Sequence, residues 1–213
     1  MNYKLTAALL LFCLSILIGT AGASCGTVPA SISSSITACQ PANIVNTQGT
    51  GTSSGFQVEL GSLPFNAMLG NVVVYNSVSG ALMPSWIEAN NIIWVNLGAN
   101  TIGASSSANG IYYFGFGNAG TNFLSSTSAN QIGEAPQLSA SYAQYDNGNT
   151  VFGAQASTAG LYDDFYGSTL KSSWHYGTGT VAVNNGLTAS TIGAWWDITN
   201  NYQVTAPFVL DTY

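Results

Sequence analysis

Residues 55–61 read GFQVELG, and their alternation carries the first information about the fold. Phe56, Val58 and Leu60 fall on one side of an extended chain, Gln57 and Glu59 on the other. That period of two is what a half-buried strand requires. Working outward, NVVVYN (71–76), SWIEA (85–89), NIIWVNL (91–97) and GIYYFGFG (110–117) are further short apolar runs set between Gly, Asn, Ser or Pro. No 3.6-residue apolar period is sustained along the chain beyond residue 23. Short strands punctuated by turn residues predict an all-β chain, an antiparallel, jelly-roll-like β-sandwich. In VAVNNGLTAS (181–190), Asn185-Gly186 predicts a hairpin with a two-residue type I′ turn, because both residues tolerate positive φ. Residues 119–142 are polar and irregular, and predict a long loop or a return strand around Pro136–Leu138.

The 213-residue chain has two Lys and Arg together, eight Asp and Glu, and a formal net charge of -6. Charged residues make up 5%, against about 25% in an ordinary soluble domain. Neutralising phosphates takes several basic side chains. Nucleic acid is thereby excluded as a partner, and so is electrostatic docking to anionic lipid. The surface has to be built from Ser, Thr, Asn, Gly and Tyr. Such a coat changes little on acidification, which is compatible with an acidic extracellular setting. With 46% hydrophobic and 12% aromatic residues, the chain can bury a core and does not read as disordered.

Residues 1–23, MNYKLTAALLLFCLSILIGTAGA, have the layout of a signal peptide. Lys4 starts it, Leu5 to Ile18 form its apolar centre, and Ala21-Gly22-Ala23 is the small-residue cleavage pattern. The apolar stretch is short of the ~20 residues of a membrane span. We expect cleavage after Ala23, no membrane span thereafter, and a secreted, cell-surface-associated protein. Cys13 leaves with the signal. Cys25 and Cys39 remain as an even pair in an oxidising compartment, and are expected to form a disulfide.

Two stretches carry a resemblance. Tyr75-Asn76, the Trp86-Ile87-Glu88 and Ile93-Trp94-Val95 runs, and Ile111-Tyr112-Tyr113 closing on Gly117-Asn118 together resemble an uncharacterised β-sandwich family of archaeal and bacterial secreted proteins. YDNGNTVF, YDDFYGSTLKSSW and VAVNNGLTAS resemble the entry into a concanavalin-A-like (laminin-G-like) jelly roll. The small residues of GAQASTAG place a linker at 153–160, with a first β-sandwich domain at 24–152 and a second at 161–213, the latter concanavalin-A-like by the resemblance. The second is expected to be incomplete, since the sequence stops within the apolar run QVTAPFVLDTY.

The acids are the candidate chemical groups. On an extended segment Asp163 and Asp164 point to opposite faces and cannot share a proton. Calcium is a candidate cofactor for this pair, but it wants roughly six to eight oxygens and the segment offers two carboxylates. A structural role is the favoured reading. A retaining glycosidase needs two carboxyls about 5 Å apart. Glu59, Glu88, Glu134, Asp146, Asp163, Asp164, Asp197 and Asp211 include no i, i+2 or i+4 pair on one strand, and the laminarinase-like Glu-x-Asp-x-x-Glu pattern is absent. FVLDTY resembles the aspartic-protease segment, but Tyr213 stands where that family has glycine. His175 lacks a G-x-S-x-G partner. Trp195-Trp196 offer one indole to each side of a strand. With Asp197 and Asn200 they form a candidate sugar platform, weighed against burial under a neighbouring sheet or chain. The sequence therefore predicts a non-catalytic module that binds carbohydrate or glycoconjugates, or other surface proteins. The competing readings are a glycan-cleaving enzyme with its acids beyond Tyr213, and a purely structural envelope component.

Overall fold

The computed structural model describes residues 24–62, 69–124, 131–152, 162–177, 179–190 and 198–200. The described chain is all-β, with mainly antiparallel sheets. Its strands are β1 (Ile36–Asn46), β2 (Gln57–Ser62), β3 (Val72–Asn76), β4 (Ala81–Leu82), β5 (Ser85–Glu88), β6 (Ile92–Asn96), β7 (Ser106–Gly117), β8 (Ile132–Glu134), β9 (Trp174–Tyr176), β10 (Thr180–Val183), β11 (Leu187–Ser190) and β12 (Ile198–Asn200). A single α-helical turn, α1 (Gly148–Val151), lies between β8 and β9.

Two four-stranded sheets form the body. The first has the order β1-β7-β3-β4, the second β2-β6-β5-β8. All neighbours are antiparallel except β5 and β8. One hydrophobic core is shared between the sheets: Val72, Val74 and Phe114 come from the first, Ile87, Ile93 and Val95 from the second. Burying each such side chain contributes about 1.5–3 kcal/mol. The alternate residues of β3, Val73 and Tyr75, enter a separate cluster with Ile32 and Phe123. Both faces of β3 are therefore covered, which explains why VVVY is uniformly apolar rather than alternating. Among the described residues β1 pairs with β7 alone and lies at a sheet edge, where Pro41 is tolerated.

The segment before β1 is held from two sides. Cys25 and Cys39 form the expected disulfide, closing a loop of about 15 residues that contributes roughly 3 kcal/mol through the unfolded state. Tyr75 donates its hydroxyl proton to the Cys25 carbonyl at 2.8 Å. Burial, aided by neighbouring Tyr113, pushes the Tyr75 phenol up to about 12.

Several local expectations are corrected. Val58 and Leu60 pack on the shared core, but Phe56 precedes β2 and is exposed. Pro136–Leu138 is a 3-10 turn, and the strand in that region is the earlier Ile132–Glu134. Proline has no N–H to give a ladder and suits the first turn of a helix. The 181–190 hairpin exists, with Asn185 and Gly186 both at positive φ. Val183 pairs with Leu187, so Asn184, Asn185 and Gly186 form a three-residue loop, not a two-residue one. Residues 162–166 are not a strand. The expected signal (1–23), the linker at 153–160 and residues 201–213 lie outside the described residues.

Candidate functional site

Trp86 and Trp94 face each other across β5 and β6. Both are buried, but in a cluster of their own with Ala135 and Val151, on the side of the second sheet away from the shared core. The segment after β8 covers them. Asn96 donates to the Val151 carbonyl at 2.6 Å, and Asn147 to that of Ser85 at 2.9 Å, fastening α1 to the sheet. Phe152 meets the Trp86 ring edge-on, with centroids 5.2 Å apart, and stacks on Tyr162 at 5.6 Å. The tryptophans are thus structural, and their indole N–H groups find acids: Trp94 donates to Glu88 at 3.1 Å, Trp86 to Asp146 at 3.3 Å.

Asp146 is the polar centre of this layer. It also accepts from the Tyr162 hydroxyl at 2.6 Å and the Gly148 N–H at 2.9 Å. Burial raises its carboxyl above the ordinary value and outweighs these hydrogen bonds, and nearby Asp164 adds to the rise. Burial together with the Asp146 charge likewise raises the Tyr162 phenol. Gly148 is required by close approach: a Cβ there would run into the Tyr162 ring. Burial also raises Glu134, against a hydrogen bond from Ser139.

Asp163 and Asp164 diverge, though not by the strand geometry the sequence suggested. Each carboxylate turns back to accept the N–H two residues ahead, Asp163 from Phe165 at 3.0 Å and Asp164 from Tyr166 at 3.1 Å. These are successive Asx turns, with Phe165 in the left-handed region at φ 50. The Asp163 carboxylate is 3% exposed; it pairs with Lys171 at 3.0 Å and accepts from the Trp174 indole at 2.7 Å. A calcium ion at Asp163 would have to displace that ammonium. Among the described residues no group of three or more His, Cys, Asp or Glu is gathered to hold a metal.

Asp164 faces a different space. With Ser141, Tyr142, Ala143, Gln144 and Tyr166 it lines an open cleft of about 380 Å³. Two loops make it: the turn following the 3-10 segment and the Asx-turn segment. Tyr142 ties them by donating to the Asp164 carbonyl. Tyr166 is 63% exposed. The loop of the β10–β11 hairpin supports the second segment, with Asn185 and Gly186 donating to the Gly167 and Phe165 carbonyls at 3.1 and 3.0 Å. The residues lining the cleft include two tyrosines, a glutamine, a serine and one aspartate.

Comparison with family models, curated proteins and solved structures finds no match. The site has to be read from its own chemistry. Of the sequence-predicted ligand residues, Trp195, Trp196 and Asp197 lie outside the described residues, and Asn200 pairs with Trp174 between β12 and β9. Tyr142 and Tyr166 were not singled out in the sequence. They stand on loops 24 positions apart, with no periodicity to connect them. The signal visible in the sequence is the acidic-aromatic run YDDFY. No helix among the described residues is long and apolar enough to cross a membrane.

Proposed function

We propose that the protein is a secreted, cell-surface-associated module that binds carbohydrate or glycoconjugates without cleaving them. The observation that carries this reading is the cleft at Tyr142, Gln144, Asp164 and Tyr166, with Tyr166 presenting an exposed ring beside polar groups. Sugars combine an apolar ring face with a belt of hydroxyls, and are held by aromatic stacking plus a few hydrogen bonds. A surface almost without Lys and Arg favours such neutral contacts. Within this reading the 24–152 body is the first β-sandwich, and 161–213 opens the concanavalin-A-like domain. The Trp196 platform would add a second sugar contact.

A glycan array on the secreted protein tests the proposal, with Tyr166→Ala and Trp196→Ala beside wild type. Binding to a defined set of glycans is expected, weakened roughly tenfold by Tyr166→Ala, the size of a lost aromatic stack. Absence of binding to every glycan, together with self-assembly into lattices or filaments, would replace it with a structural envelope role.

A further inference from the structure

The geometry points to a ligand that carries an ammonium group, an amino sugar in preference to its neutral counterpart, in the Tyr142–Tyr166 cleft. This rests on the carbohydrate reading and adds a charge requirement to it. Asp164 is the one formally charged residue among those lining the cleft. The donors the structure gives it are a backbone N–H, from Tyr166, to its carboxylate and a phenol, from Tyr142, to its carbonyl; both are neutral and leave its charge uncompensated. The strong base that could offset it is committed elsewhere. Lys171 is the only Lys or Arg beyond Lys4, and it pairs with Asp163.

The Tyr142 phenol is raised by burial first, and then by the fields of Asp164, Asp146 and Asp163; Asp163 is offset by Lys171, which leaves Asp164 and Asp146 as the carboxylates near that wall of the cleft. Tyrosine faces attract cations as well as apolar C–H groups. One site can therefore stack a sugar ring and hold an ammonium against Asp164. A neutral hexose gains the first contact and forgoes the second.

The test is titration calorimetry of the secreted protein at low ionic strength with three probes: glucosamine, glucose and choline. Glucosamine is expected to bind about tenfold tighter than glucose, the size of one partly screened charge contact. The preference should shrink as salt is raised. It should vanish in Asp164→Asn, whose amide oxygen still accepts the Tyr166 N–H and keeps the turn. Equal affinity of the wild type for glucosamine and glucose overturns the charge requirement and leaves the carbohydrate reading standing. Choline binding as tightly as glucosamine, with no binding of glucose, upholds the ammonium site and overturns the carbohydrate reading. No heat with glucosamine or choline overturns the ammonium site, and no signal with any sugar on the glycan array overturns the carbohydrate reading.

Discussion

The body formed by β1–β8 and the 162–190 region are held by different physics. In the body, β3 and β5 are buried along their whole length, and three hydrophobic clusters fill the spaces between and outside the sheets. In the later region, β9 has no buried residue and β10 has one, Val183. Geometry there depends on polar contacts: two Asx turns, the Asp163–Trp174 hydrogen bond and the hairpin-loop donors. Apolar burial sums over many side chains, and removing a large one opens a cavity. A buried carboxylate acts through a few donors, and removing it leaves those donors unpaired.

That difference can be broken at several points, and the largest effect should come from the body. Trp86→Ala removes the centre of the outer cluster and should cost about 3–5 kcal/mol, measured as a shift in urea midpoint. Next, replacing Cys25 and Cys39 together by Ser should cost roughly 3 kcal/mol. Reduction of the wild type should reproduce that loss, and a reduced protein as stable as the oxidised one would contradict it. Asp163→Ala should cost about 1–3 kcal/mol, and the loss should be local. Hydrogen exchange is expected to quicken over 163–176 while amides of β3 and β5 keep their protection. Loss of protection in β3 would show that the two regions unfold as one.

The pH dependence sharpens the contrast further. The folded-state pKa values of Asp146 and Glu134 are raised by burial. The folded protein then binds more protons than the unfolded chain as pH climbs above the ordinary carboxylate values, so these two groups make stability fall with rising pH in that window. Acidification from neutrality toward pH 4 should therefore raise their contribution, and Asp146→Asn should flatten the trend. At the other end, the Tyr75 phenol rises from 10.0 to about 12 on burial. Stability should drop as pH rises through that interval, less so in Tyr75→Phe, as read by thermal melts. Lys171→Ala is the converse test. Its own side chain is 52% exposed, but its loss leaves the 3%-exposed Asp163 carboxylate without its ammonium, and should cost about 1–3 kcal/mol.

The sequence was legible where apolar burial dominates. β3, β5, β6 and the second half of β7 announce themselves as aromatic and β-branched runs between turn residues. β1 does not, because ITACQPANIVN buries only Ala42, Ile44 and Asn46 and contains a proline that only an edge position permits. As aromatic residues within apolar runs, Trp86 and Trp94 read as part of the first core, and they are buried, in a cluster separate from the shared core. Their face was not legible, since it depends on the 131–152 segment folding back over the second sheet. Asp163 and Asp164 were readable as divergent, but by the wrong geometry. Asx turns depend on which N–H a carboxylate finds, and an acidic-aromatic run fits a strand equally well. The cleft was not legible at all. It arises where two loops meet through Tyr142 and the Asp164 carbonyl, a tertiary contact without local spacing.

The Lys171–Asp163 pair has one consequence outside folding. Beyond residue 23 the chain contains a single Lys and no Arg, so an enzyme of trypsin-like preference finds one bond to cut, that between Lys171 and Ser172. To cut it, the protease must draw the lysine side chain into its own specificity pocket, and the folded protein already holds that side chain against Asp163. Cleavage at that bond is therefore expected to be slower in the folded protein than in the unfolded chain, as a time course with trypsin would read.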